Sequence, residues 1–284
     1  MRLPKRIAAA ACLLAWALVF PACGKSSNGQ PAESVPPALP PSIEEFERAV
    51  EQGPDDPVAR HDLAMALHQA GRREEALPHF EKLAELRPES IHLVELGVAY
   101  ASLGRMEQAE DAFERALEPA PDDPIALHHL GNIARGRGNA AEAISLYRQA
   151  LENDPAYLMV HFHLAEAQLQ AGQIEEAYRS YEQVVRLQPK EPAELAAFDA
   201  SLLRLATIDL QMGATERAVE FLRVLVDSVP DHPQAHLLLG QALIKLGQNE
   251  AGQQELRTHQ ELAGRQPRPA PAAAGSSGRS ASAP

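Results

Sequence analysis

The sequence predicts an all-α chain built as a solenoid of stacked helix-turn-helix repeats. The first observation is a period: Gly71, Gly104, Gly138, Gly172, Gly213 and Gly247 are separated by 33, 34, 34, 41 and 34 residues. Leucines (Leu63, Leu96, Leu130, Leu164, Leu205, Leu239) keep the same register, and prolines (Pro54, Pro88, Pro121, Pro155, Pro189, Pro230) and alanines (Ala76, Ala109, Ala143, Ala177, Ala218) recur with the same period. The second is spacing within a period, where Leu130, Ile133 and Ala134, then Ala143, Ile144, Tyr147, Ala150 and Leu151, follow at helical steps of three and four. The third is composition. Apolar residues make up 45% of the 284 residues and aromatics only 5%, with Ala and Leu dominant, which suits closely packed helices rather than a sheet.

Residues 1–22 are expected to be an export signal. Arg2, Lys5 and Arg6 precede an uncharged apolar run from Ile7 to Phe20. That run is shorter than the roughly 20 residues a helix needs to cross hydrocarbon. The residues "FPAC" before Gly24 resemble the lipobox of bacterial lipoproteins, with Phe20 and Pro21 departing from its usual pattern. The resemblance implies cleavage before Cys23 and a lipid on its sulfur; Cys12 would leave with the signal. An ordinary cut after Ala22 is the alternative and would give a secreted, soluble protein. With Gly24 rather than aspartate after the cysteine, lipoprotein sorting in two-membraned bacteria implies the outer membrane, facing the periplasm. Residues 23–41 are rich in Pro, Ser and Gly and read as a tether that does not fold.

The array is expected over residues 42–263. A leading helix at 42–52 opens on Ser42 with Glu45 three residues later, a capping box. Units then begin near residues 57, 90, 124, 158, 199 and 233. Glycine sits between the two helices of a unit, where a left-handed residue closes the first helix. Proline ends the second helix and sets the entry to the next. The interval of 41 is a seven-residue insertion at 192–198, close to two helical turns, and lengthens the first helix of the fifth unit. In the sixth unit the small-residue pattern slips, with Ala251 one place early, and "GQQELRTHQELAG" has the polarity of a terminal cap. Residues 264–284 carry three arginines and no acid and read as a solvated tail.

The units "LGVAYASLGRMEQAEDAFERALEPAP", "LGNIARGRGNAAEAISLYRQALENDP" and "LAEAQLQAGQIEEAYRSYEQVVRLQP" resemble the tetratricopeptide repeat, with its Leu-Gly, turn Gly, Ala, aromatic, Ala and Pro. The tryptophan common early in the first helix is replaced by Leu93, Leu127 and His161. The resemblance implies a right-handed α-solenoid whose first helices line a groove that holds a partner's peptide or helix. By register that groove includes His61, Met65, Glu95, His128, His129, Asn132, Arg135, Met159, Phe162, His163, Glu166, Leu203 and Arg204. The apolar members mark a binding surface if they are not used by the core. The chaperone-tail clamp of Lys, Asn and Arg found in some relatives has no counterpart, because His61, Met65, Glu95 and His129 stand in its places.

Groove histidines invite a metal, and His163 with Glu166 share one helical face. No H-E-x-x-H or Cys-rich spacing accompanies them, so polar contact with a partner is the preferred reading, with a metal-handling or enzymatic accessory as the alternative. Gly136, Gly138 and Ala141 spell a G-x-G-x-x-A, but no strand-like alternation precedes them, as a dinucleotide site would require. There is no G-x-S-x-G or P-loop lysine motif, so neither catalysis nor a cofactor is expected. A formal charge of -13 disfavours nucleic acid as a partner. The expected partners are a protein of an envelope complex and, through Cys23, the membrane.

Overall fold

The computed structural model describes residues 42–187 and 189–265, which form thirteen α-helices and no strand. The signal at 1–22, the tether with Cys23 and the tail beyond Arg265 lie outside the described residues. The chain divides into two compact units after Pro155. The first holds α1 (Ile43–Gln52), α2 (Pro57–Gln69), α3 (Arg73–Leu86), α4 (Ser90–Ser102), α5 (Met106–Ala116), α6 (Pro124–Gly136) and α7 (Ala140–Asn153). The second holds α8 (Leu158–Gln170), α9 (Ile174–Arg186), α10 (Pro192–Met212), α11 (Thr215–Ser228), α12 (Pro233–Lys245) and α13 (Asn249–Arg265).

Each hairpin follows from its own residues. Asp123 caps α6 by accepting from the N–H groups of Ile125 at 2.9 Å and Ala126 at 3.1 Å, and Pro124 occupies the first turn, where no N–H is needed. Gly138 ends that helix with φ of 81°, a backbone that an L side chain strains, and its five counterparts fall between 74° and 81°. The second helix then returns along the first. Ala76, Ala109, Ala143, Ala177 and Ala218 are fully buried in that contact.

In two hairpins the first helix approaches the facing ring so closely that only glycine fits. A methyl group at Gly97 would lie 2.5 Å from Cε1 of Phe113, and one at Gly131 would lie 2.5 Å from Cε1 of Tyr147. Both rings are buried, and that burial stabilises each hairpin by about 2–3 kcal/mol per ring. Within each unit, hairpins stack through one continuous core. Leu63, Phe80, Leu96, Phe113 and Leu130 belong to the first core, and Tyr181, Leu202, Leu205, Leu222 and Leu239 to the second.

Two features of the second unit bear on the repeat. The seven residues at 192–198 form the start of α10, a helix of 21 residues against 13 for α8 and α12. Ala197 and Phe198 enter the core, and Leu195 stays exposed. The small-residue pattern of the last hairpin does not slip as the sequence suggested. Gly252, five residues past its turn like Ala218 in the preceding hairpin, takes the alanine's place, and its carbonyl oxygen would lie 2.8 Å from a methyl group on Gly240. Glycine at both positions lets α12 and α13 pack backbone to backbone.

Candidate functional site

In the first unit the groove residues form two polar clusters rather than an open row. His61 on α2 meets Glu95 on α4, Nε2 to Oε1, at 3.0 Å, with Asp62 beside the other ring nitrogen at 3.6 Å. The second carboxylate oxygen of Glu95 is buried without a hydrogen-bond partner. Met65 packs against the core. On α6, Asn132 is the centre of the second cluster: its amide donates to His128 Nε2 at 3.1 Å, and its carbonyl oxygen accepts from the Tyr147 hydroxyl at 2.7 Å. Burial pushes that hydroxyl up to about 12, with Arg135 nearby acting in the opposite direction.

His128 corrects the sequence reading. It is only 6% exposed, packed 6.1 Å from the Tyr147 ring, and so belongs to the interior of its hairpin rather than to a surface open to a partner. Val94 holds the same repeat position, ten residues before the turn glycine, and is buried too. His129 is partly exposed and stacks on Phe113, with centroids 4.7 Å apart and planes 5° apart. Burial lowers its pKa from the ordinary histidine value, and Asp123 acts against that shift.

In the second unit, Met159, Phe162 and Leu203 lie half-buried against the core. Phe162 meets the Tyr181 ring edge-on at 6.2 Å and has His163 beside it at 5.5 Å. Glu166 is engaged twice. The Tyr181 hydroxyl donates to its Oε1, and Arg204 donates to the same oxygen at 3.1 Å and to Oε2 at 3.4 Å. Burial and this carboxylate hold the Tyr181 hydroxyl well above its ordinary range. Both oxygens of Glu166 are thus engaged by Tyr181 and Arg204. Among the described residues no group of three or more His, Cys, Asp or Glu side chains is placed to hold a metal ion.

The G-x-G-x-x-A at 136–141 lies at the α6–α7 turn, with Gly138 as the turn residue and Ala141 inside α7. No strand occurs among the described residues, and α6 precedes the motif, so the frame of a dinucleotide site is not there.

Sequence reasoning missed two features. Asp209 on α10 is fully buried and accepts from Arg217 Nε at 3.0 Å, from a second Arg217 nitrogen, and from the Tyr178 hydroxyl at 3.1 Å. The Arg217 guanidinium also lies 5.2 Å over the Tyr178 ring. This knot joins α9, α10 and α11. Both oxygens of the carboxylate are occupied and shielded from solvent, and the group pins the three helices together. The second is a row of aliphatic side chains, Val58, Ile91 and Ile125, exposed at 66%, 61% and 44%. Each is the second residue of its helix and stands thirteen residues before a turn glycine. The recurrence was readable in the repeat register; the exposure was not.

Two models of the tetratricopeptide repeat family match the chain, one over residues 42–91 and 61–124, the other over 134–202 and 209–274. Among curated proteins, the CTR9 homolog of Arabidopsis thaliana is 26% identical over 249 residues, covering 72% of this chain and 22% of that one. The aspartyl/asparaginyl beta-hydroxylase of Mus musculus is 31% identical over 156 residues, covering 50% of this chain and 21% of that one. This chain thus spans about a fifth of the length of either relative. Among solved structures, Pseudomonas aeruginosa pilF superposes with a TM-score of 0.58 at 16% identity, over 79% of this chain and 99% of that one. YrrB, described as a TPR protein with an unusual peptide-binding site, gives 0.51 at 21% identity, over 68% of this chain and 97% of that one. These likenesses carry the fold.

Proposed function

The chain belongs to the tetratricopeptide repeat family, and on that premise we propose that it is a non-catalytic scaffold that holds a peptide or helix of a partner protein against the faces of its first helices. Proteins of this family generally mediate protein–protein interaction. The observation that carries the reading here is the division of labour between helices. The recurring small and aromatic residues of the second helices are spent on the core, whereas the first helices of both units keep exposed or half-exposed side chains of mixed chemistry, among them His61, His129, Phe162 and Arg204. Preformed helices present such contacts without an ordering cost at the moment of binding.

The same reading places the scaffold in a bacterial envelope, anchored by lipid on Cys23 and facing the periplasm from the outer membrane. Its support is the basic start, the apolar run and the "FPAC" sequence. No helix among the described residues is long and apolar enough to cross a membrane. Mass spectrometry of the mature N-terminus tests the anchor: a diacylated Cys23 supports it, and an unmodified Cys23 makes the protein a soluble exported scaffold. Crosslinking in cells from Phe162 or His129 tests the scaffold. Reproducible capture of one protein supports it, and no capture from either position sinks it.

A further inference from the structure

The row of Val58, Ile91 and Ile125 is confined to the first unit. The same repeat position in the second holds Met159, which is half-buried, then Ala200, which offers only a methyl group, and the polar Gln234. Within the first unit the three side chains come from helices that are tied side by side. His61 and Glu95 join α2 to α4, and the Ser90 hydroxyl donates to Asp123 at 2.6 Å, joining the start of α4 to the cap of α6 directly beside Ile91 and Ile125. Three β-branched side chains left in water at one repeat position, on neighbouring helices, form a surface whose burial would be favourable.

The border of the row has a sign. Asp55 and Asp56 precede Val58, Glu89 precedes Ile91, and Asp122 and Asp123 precede Ile125. Lys82 approaches Asp55 at 3.9 Å and Arg87 pairs with Glu89 at 2.7 Å, exposed pairs that cancel only part of the charge. Over residues 42–155 there are 23 acidic and 11 basic side chains. This excess of acid at the border favours a basic segment along the row. Its spacing follows as well, since neighbouring helices pack roughly 10 Å apart. An extended chain of polyproline type advances about 3.1 Å per residue with three residues per turn, so every third side chain meets the next helix.

We propose that Val58, Ile91 and Ile125 form the docking surface for an extended, basic segment of a partner protein that carries an aliphatic side chain at every third residue. This rests on the scaffold reading and gives it a ligand chemistry and a place, in the first unit and at residues outside the predicted groove set. The probe is a fluorescent dodecapeptide of four Lys-Pro-Leu triplets, titrated against the full exported chain by anisotropy. Saturable binding is expected, weakened at least about tenfold when Leu is replaced by Ser or Lys by Glu in the peptide, which corresponds to about 1.4 kcal/mol. Ile91→Asp should weaken it to the same degree. Ile174→Asp, at another exposed aliphatic residue, in the second unit, should leave it unchanged. Since both sites are on the surface, unchanged thermal melting establishes that each variant is folded.

Absence of binding, equal binding of the Glu peptide, or full affinity in Ile91→Asp overturns the proposal. A concentration-dependent dimer that Ile91→Asp dissociates also overturns it, by assigning the row to self-association. If the peptide fails while in-cell crosslinks from Phe162 or His129 still capture a protein, this docking surface is wrong and the scaffold reading stands.

Discussion

The hydroxyl of Tyr147 donates to the side-chain oxygen of Asn132 at 2.7 Å, across the two helices of one hairpin. The next hairpin repeats the relationship with Tyr181 and Glu166. In the two earlier hairpins, phenylalanine replaces tyrosine, at Phe80 and Phe113, and the facing position is apolar, Met65 and Val98. The polar and apolar versions of this contact are interchangeable modules. Tyr147→Phe alone should destabilise the protein by about 1–2 kcal/mol, because Asn132 loses a donor, whereas Tyr147→Phe with Asn132→Val should recover most of the loss. Urea denaturation of Tyr147→Phe, Asn132→Val and the double variant measures the coupling, and simple additivity of the two single effects would refute the module.

The Asp209 knot should be the most sensitive polar site of the second unit. Arg217→Ala leaves a fully buried carboxylate with the Tyr178 hydroxyl as its remaining donor among the described residues. Breaking a buried pair costs about 3–5 kcal/mol, and the half-exposed guanidinium brings the expected loss below that range, to about 2–3 kcal/mol. Asp209→Leu with Arg217→Met should cost less than Arg217→Ala alone. Equilibrium unfolding followed by circular dichroism decides between these orders.

Glycine-to-alanine changes should have opposite signs at positions five residues apart. Gly131→Ala pushes a methyl group into the Tyr147 ring and should destabilise by about 1–3 kcal/mol. Gly136→Ala meets nothing within 4 Å and lies in the last turn of α6 without the positive φ of the turn glycines, so it should stabilise by about 0.4–1 kcal/mol. A cradle for phosphate would not tolerate that methyl group. Differential thermal melting of the two variants provides the comparison.

Acid should weaken the first unit before carboxylates titrate. Burial lowers the pKa of His129, and likewise that of His79, so the unfolded chain binds a proton more readily than the folded one. Their contribution to stability is present above the ordinary histidine pKa and is lost as pH falls from there through the depressed folded value. The melting temperature should therefore decline from pH 7.5 to 5.5, and His129→Phe, which keeps a stacked ring without a titrating group, should flatten that decline. An unchanged slope in the variant would remove His129 from the account.

Turn glycines and buried alanines were legible in the sequence because each answers a purely local demand, a left-handed turn or a close helix contact, that recurs once per repeat. The lengthened α10 was legible for the same reason, as an interval seven residues too long. Side-chain direction on the first helices was harder. Whether a residue ten positions before the turn faces a partner or its own hairpin depends on the ring it meets, and Tyr147 draws His128 inward. The Asp209 knot unites residues 8 and 31 positions apart on three helices, so no spacing announces it. The aliphatic row was hidden for another reason: Val58, Ile91 and Ile125 stand in the first turn of their helices, where an apolar side chain can equally face the preceding hairpin or the solvent.

Helix α10 shows how such an array can accept new length. Seven residues advance a helix by nearly two whole turns, about 20° short of full phase, so everything downstream keeps its orientation. Adding or removing six or eight residues at the same point would swing Leu202, Leu205 and Asp209 about 100° around the axis and expel them from contact. Length polymorphism inside this helix is thereby quantised, and heptad-sized changes between Pro192 and Phe198 are the ones a working protein can tolerate.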